Sequence, residues 1–152
     1  MLGLPMWAGV MVIIAGITAV ELAVWMLVVR PRLRARRAEA ARAAEIAVGG
    51  DVVVSGAAGL VGLASGSGAQ ARAGHLVIGR DALVFVRRAP GLTLRVARER
   101  IDLVDTTRTH LGRATGHPLL RVAFRDEAGT ADVVAFDVGR DTRPWEEALA
   151  AG

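Results

Sequence analysis

The stretch Met6–Val29, MWAGVMVIIAGITAVELAVWMLVV, constrains this chain more than any other. It holds a single ionisable residue, Glu21, in 24 positions. A helix of that length rises about 36 Å, enough to cross a hydrocarbon core of about 30 Å with some tilt. Lipid offers the backbone no hydrogen-bond partners, so such a span has to be helical. Trp7 and Trp25 fall near its two ends, where interfacial aromatics sit. Directly after it Arg30, Arg32, Arg34, Arg36, Arg37 and Arg42 crowd into RPRLRARRAEAAR, and no Arg or Lys precedes it.

That asymmetry argues for a membrane anchor. A secretory signal carries its positive charge before a shorter apolar core and a small-residue cleavage site after it. A buried core helix is usually shorter, and an interfacial helix shows a polar face that is missing here. Arginines downstream of a span mark the cytoplasmic side. The expected organisation is therefore an extracytoplasmic N-terminus over 1–5 and a transmembrane helix over 6–29. A basic juxtamembrane helical linker follows over 30–49, then a cytoplasmic domain over 50–152, all at the plasma membrane.

Within the span Trp7, Met11, Ile14, Thr18, Glu21 and Trp25 share one face by spacings of four and three. Ala15, Ala19 and Ala23 form a small-xxx-small ladder on another, a pattern that lets helices approach closely. An intramembrane carboxylate is costly and commonly faces a partner or takes up a proton. Glu21 with this ladder is the candidate contact for self-association into a homo-oligomer, or for docking on a larger membrane protein. The plainer reading is a tolerated protonated carboxyl.

Charge sorts the possible partners. Segment 30–42 carries six Arg and one Glu, net +5, whereas residues from Gly50 onward carry 13 Arg against 12 Asp plus Glu, net +1. A nucleic-acid module is basic on its folded face, so no nucleic-acid partner is expected. The arginine cluster instead suits the anionic inner leaflet, at about 1 kcal/mol for each side chain near it. The same arginines also serve simply to set topology. The chain has no Cys, which excludes disulfides and thiolate metal sites. Ala38–Ala47 is made of good helix formers and should prolong the helix until Gly49-Gly50.

After Asp51 the texture turns to short alternating runs. DVVVS and GLVGLAS read as β, interrupted at Gly56 and Gly59. The uncharged stretch Val52–Ala71 is too rich in Gly and Ser for a second membrane helix. SGSGAQ reads as a loop. HLVIG (75–79) and ALVFVRR (82–88) flank a tight turn at Gly79-Arg80-Asp81, and Pro90-Gly91 marks another reversal. Thr93–Ala97, Ile101–Arg108, Leu119–Arg125 and ADVVAFDV (131–138) complete six or seven antiparallel strands. Asp141 or Thr142 can cap a final helix with Pro144 in its first turn, and Trp145 with Leu149 give it one buried face. The expected core is Leu83, Phe85, Leu94, Val96, Val122, Phe124, Val134, Phe136, Trp145 and Leu149. The fold class is thus one transmembrane helix, then a mainly antiparallel β sandwich or open barrel capped by a C-terminal helix.

The runs GHLVIGRDALVFVRR and LTLRVARERIDLVDTTRTHLGRATGHPLLRVAF, with the closing WEEAL, resemble bacterial pleckstrin-homology-like and GRAM-like domains of an actinobacterial type with an N-terminal anchor. The resemblance covers roughly residues 50–150. It implies a pleckstrin-homology-like fold and an adaptor or lipid-surface role. The first hairpin loop lacks the Lys/Arg-rich run of the lipid-binding eukaryotic members, so the resemblance implies no inositol-phosphate site.

No constellation of catalytic or cofactor-binding residues emerges. His75, His110 and His117 are the only histidines. His110 and His117 flank LGRATG without a carboxylate at ligand spacing, so no metal is expected, and a lone loop histidine is most often exposed. Gly112, Arg113, Thr115, Gly116 and His117 are candidates for a small anion-binding loop of backbone N–H groups, although the Gly-Lys-Ser/Thr ending of a phosphate loop is missing. The alternative is an ordinary inter-strand loop. No GxSxG occurs, and the acidic pair Asp126-Glu127 sits in a turn. The expectation is a non-catalytic single-pass module whose cytoplasmic domain binds a protein partner or the inner leaflet. The alternative is an accessory subunit of a larger transporter or envelope complex, docked through its transmembrane helix.

Overall fold

A computed structural model of the chain describes residues 6–66, 72–87 and 93–151. Most of the expected SGSGAQ loop and the Pro90-Gly91 reversal lie outside the described residues, as do residues 1–5 and the side chains of Trp7 and Met11. The chain divides into two compact units, Met1–Arg36 and Arg37–Gly152.

The first unit is helical. Helix α1 covers Met6–Val24, a π-helical turn covers Trp25–Val29, and α2 (Arg30–Val48) begins in this unit and continues into the second. The large apolar side chains from Ile14 to Leu33 are exposed. Ile14, Ile17, Val20, Leu22 and Leu27 are all more than half exposed. Among the described residues one helix is long and apolar enough to cross a membrane. The π turn was not foreseen, and Pro31 supplies its reason. In an α-helix the proline ring would press on the carbonyl four residues back and leave it unbonded. A wider turn just ahead relieves that crowding. The Arg30 N–H donates to the Trp25 carbonyl, five residues back.

In the second unit the strands are β1 (Val52–Leu63), β2 (Arg72–Gly79), β3 (Ala82–Arg87), β4 (Thr93–Ala97), β5 (Ile101–His110), β6 (Arg113–Arg125) and β7 (Ala131–Asp137). They form one antiparallel sheet in the order β4-β3-β2-β1-β7-β6-β5, and helix α3 (Arg143–Ala150) follows. This is the expected open antiparallel layout with its terminal helix. One expectation needs correcting. Gly56 and Gly59 do not interrupt β1, which runs through both. The ladder explains it, because β1 pairs with β2 along Val52–Leu60 and with β7 along Gly59–Leu63. Pairing with β2 at Gly56, and with both β2 and β7 at Gly59, outweighs the weak strand propensity of glycine.

The inner face of the sheet carries the core. Leu60, Leu76, Ile78, Leu83, Phe85, Leu120, Val122, Val134 and Phe136 are fully buried there, and Trp145 and Ala148 of α3 close it. Phe85 and Phe136 meet with ring centroids 5.6 Å apart. All ten expected core residues belong to this cluster, Leu94 and Leu149 as partly buried members. Trp145 sits over Gly56, where a Cβ would come within 3.2 Å of its ring. At the start of α3 the Asp141 side chain, not that of Thr142, accepts the first free N–H, that of Arg143, at 3.2 Å.

The outer face of β2–β3 is covered too, by a helix the sequence reading left on the membrane surface. Ala40, Ala44 and Val48 recur every four residues along α2 and are buried. Ala44 and Val48 pack on Val77, Ala82 and Val84. The approach is close enough that a Cβ on Gly79 would overlap Val48 Cγ1. Helix α2 ends where expected, with Gly49 taking φ +68 just past Val48.

Candidate functional site

The anion-loop candidates do not form a loop. Strands β5 and β6 join through a two-residue turn, Leu111-Gly112, with His110 opposite Arg113. Both turn residues have positive φ, 50° and 72°, which makes it the type I′ turn that matches strand twist. Gly112 is therefore in the turn, while Arg113, Thr115, Gly116 and His117 lie on β6. The register slips farther along. Thr107 faces Leu119 but Thr109 faces Ala114, so Thr115–Pro118 bulge opposite the single residue Arg108. Bulges of this kind bend a strand and re-aim its end. The Thr115 hydroxyl is tied into the bulge, donating to the His117 carbonyl at 2.8 Å. A nest needs successive N–H groups converging on one point; here they are distributed among a turn, a ladder and a bulge.

The bent hairpin reaches β1. His110 is 7% exposed, contrary to the expectation for a lone loop histidine. Its Nε2 donates to the Gly62 carbonyl at 3.0 Å, which fixes the protonated ring nitrogen, since a carbonyl only accepts. His117 Nε2 donates to Asp137 Oδ1 at 2.7 Å, and the Gly139 N–H donates to the same oxygen at 3.1 Å. Between the hairpin and β1 lies a cleft of about 600 Å³. Arg113, Thr115 and Asp137 give its polar lining, over a floor of small residues that includes Ala57, Gly59 and Ala73. The structure thus gathers Arg113 and Thr115 with the His117–Asp137 pair, and leaves Gly112 and Gly116 outside.

A second and larger cleft, of about 820 Å³, opens between the edge strand β5 and α3. Ile101, Leu103, Val104 and Leu149 give it an apolar floor, and Glu99, Asp102, Glu146 and Glu147 an acidic rim. Arg98 anchors α3 here, its guanidinium donating to the Ala148 carbonyl. No sequence signal marked this cleft, because an edge strand is defined by its neighbours and not by its own residues. On the outer face Asp105 and Arg121 pair side by side, with Arg121 Nε donating to Asp105 Oδ1 at 2.7 Å. That hydrogen bond to Arg121 holds the Asp105 carboxyl below its ordinary range, against an opposing push from partial burial.

The remaining candidates lie on the helices. All six arginines, Arg30, Arg32, Arg34, Arg36, Arg37 and Arg42, are exposed on α2; Arg37 and Arg42 belong to the second unit. Glu21, Ala15, Ala19 and Ala23 are exposed on α1. Among the described residues no group of three metal-ligating side chains comes together.

No family model matches the chain, and no curated protein does. Among solved structures it is similar to the C-terminal domain of an unknown protein from Leishmania infantum, at 13% identity and a TM-score of 0.46, covering 70% of this chain and 87% of that one.

Proposed function

We propose that this protein is a non-catalytic, single-pass membrane module of the pleckstrin-homology-like type, with its N-terminus outside and its β domain in the cytoplasm. One observation carries the reading. An apolar helix of bilayer length has its large described apolar side chains exposed and runs directly into six exposed arginines. Water disfavours such a surface by about 25 cal/mol for each Å² of apolar area, and a bilayer removes that penalty. The open seven-stranded sheet with a Trp-bearing terminal helix supports the resemblance in fold. The domain then works as a tethered surface that engages the inner leaflet or a protein partner.

Alkaline carbonate washing of membranes tests the tether. The full chain should remain in the pellet, and its release into the supernatant would refute the reading. A second reading, an accessory subunit docked through its span, is supported by Glu21 and the Ala15, Ala19 and Ala23 ladder standing exposed on α1. It predicts that Glu21→Leu, with the domain folded and the chain still inserted, loses a co-purifying membrane partner.

A further inference from the structure

We infer that the tip of the β5–β6 hairpin docks into anionic lipid, with Leu111 entering the headgroup layer and Arg108 and Arg113 engaging lipid phosphates on either side. The inference deepens the tethered reading and rests on it. Its first support is an anomaly of conformation. Leu111 is the sole non-glycine residue with positive φ among the described residues, at a turn position that suits Asn or Gly. Side chains held in that region against their preference cluster at functional sites. It gains no burial in return, being 53% exposed.

The second support is charge, and it is independent of the first. Residues 106–125 contain four arginines and no carboxylate. Arg121 and Arg125 are already paired with Asp105 and Asp102. Arg108 and Arg113, which flank the turn, are exposed and have no ion-pair partner among the described residues. Asp137, the acid lining the adjoining cleft, is engaged by His117 and the Gly139 N–H. One exposed apolar side chain between two uncompensated cations matches an anionic bilayer, apolar within and negative at its surface. A protein partner would have to supply both a carboxylate pair and an apolar pocket at one hairpin tip. So small a contact is too weak to recruit a free protein to a membrane. A chain already held there needs much less, because the tether keeps the lipid at high effective concentration.

The absence of cysteine allows a single probe to be placed. Thr109→Cys, at an exposed position beside the turn, carries a nitroxide in the full chain reconstituted in nanodiscs of phosphatidylcholine with or without phosphatidylglycerol. In anionic discs the label should gain collisions with oxygen and lose them with an aqueous nickel chelate. A label at Glu127→Cys, in the turn at the far end of β6, should stay in water in both. Replacing Arg108 and Arg113 by Gln should lower the docked-to-free ratio about fivefold for each arginine. Raising salt from about 0.01 M to about 1 M, which shortens the screening length from about 30 Å to about 3 Å, should act in the same direction. Leu111→Asn should abolish docking while the domain melts no lower, since Asn suits the left-handed position. A Thr109 label that stays in water in anionic discs overturns the proposal. So does one shielded equally by neutral lipid, or shielded only when a protein extract is added. A chain that never co-elutes with the discs refutes the tether itself, and that failure is read from the elution profile before any label is measured.

Discussion

The two units treat the same kind of side chain in opposite ways. In the first, Ile14, Ile17, Val20, Leu22 and Leu27 are all more than half exposed. In the second, Leu60, Leu76, Ile78, Leu83, Phe85 and Phe136 are fully buried, and among the described residues the large apolar ones left exposed are Ile46, Val52, Val53, Leu103 and Leu111. One chain therefore contains an exposed apolar helix long enough to cross a membrane and a core that excludes water. The contrast teaches that hydrophobicity alone does not mark a membrane segment. Val52–Leu63 has no charged residue at all, yet it is a strand, because its neighbours satisfy its backbone and its glycines weaken a helix.

The contrast breaks most severely at Trp145. It is 7% exposed against Gly56 and the inner core. Trp145→Ala should cost about 3–5 kcal/mol, a large part of the stability of a small domain. Thermal melting of the full chain in detergent checks this, and the sheet signal should be lost while the helical signal of α1 persists. A melting point unchanged from that of the parent chain would show that α3 does not close the core.

A smaller effect sharpens where the folded unit begins. Gly79→Ala places a methyl against Val48 Cγ1. Overpacking of this kind costs about 1–3 kcal/mol. Hydrogen exchange of the amides from Ala40 to Val48 should speed up in that variant if this end of α2 is part of the domain. Exchange identical in parent and variant would return it to the linker.

The smallest effect is electrostatic. Asp105 has a folded-state pKa below its unfolded value because of its hydrogen bond to Arg121. Its contribution is therefore present above the ordinary aspartate pKa and lost as pH falls through the depressed folded value. Both side chains are at least a third exposed, so solvent screening limits the pair to about 1 kcal/mol at most. The stability difference between the parent and Asp105→Asn should be seen at neutral pH and should close in acid. A difference that grows in acid would contradict the pairing.

Much of this architecture was legible because it rests on period and composition. The alternation of Leu120, Val122 and Phe124 marks the inner face of β6, and Trp145 with Leu149 marks the buried face of α3. What stayed hidden depends on distant neighbours. Ala40 and Ala44 read only as helix formers, since an alanine stripe becomes a packing surface only when a sheet with Gly79 at its edge comes near. Leu111-Gly112 lacks the Asn or Asp that announces a type I′ turn, so its sequence does not distinguish the hairpin from a loop. That hid both the bulge at Thr115–Pro118 and the reach of His110 to the Gly62 carbonyl. Pro31 carries the signal for the π turn, set within a run of arginines.

The central claim is that the apolar helix crosses a bilayer and leaves the β domain on the arginine side. The absence of cysteine permits the most direct measurement, labelling of single cysteines by a membrane-impermeant maleimide in sealed vesicles of known orientation. With Leu2→Cys and Glu127→Cys in separate full-length chains, inside-out vesicles should label position 127 and protect position 2, and right-side-out vesicles should do the reverse. Labelling of both positions from one side would mean that the helix does not cross, and the account would fail.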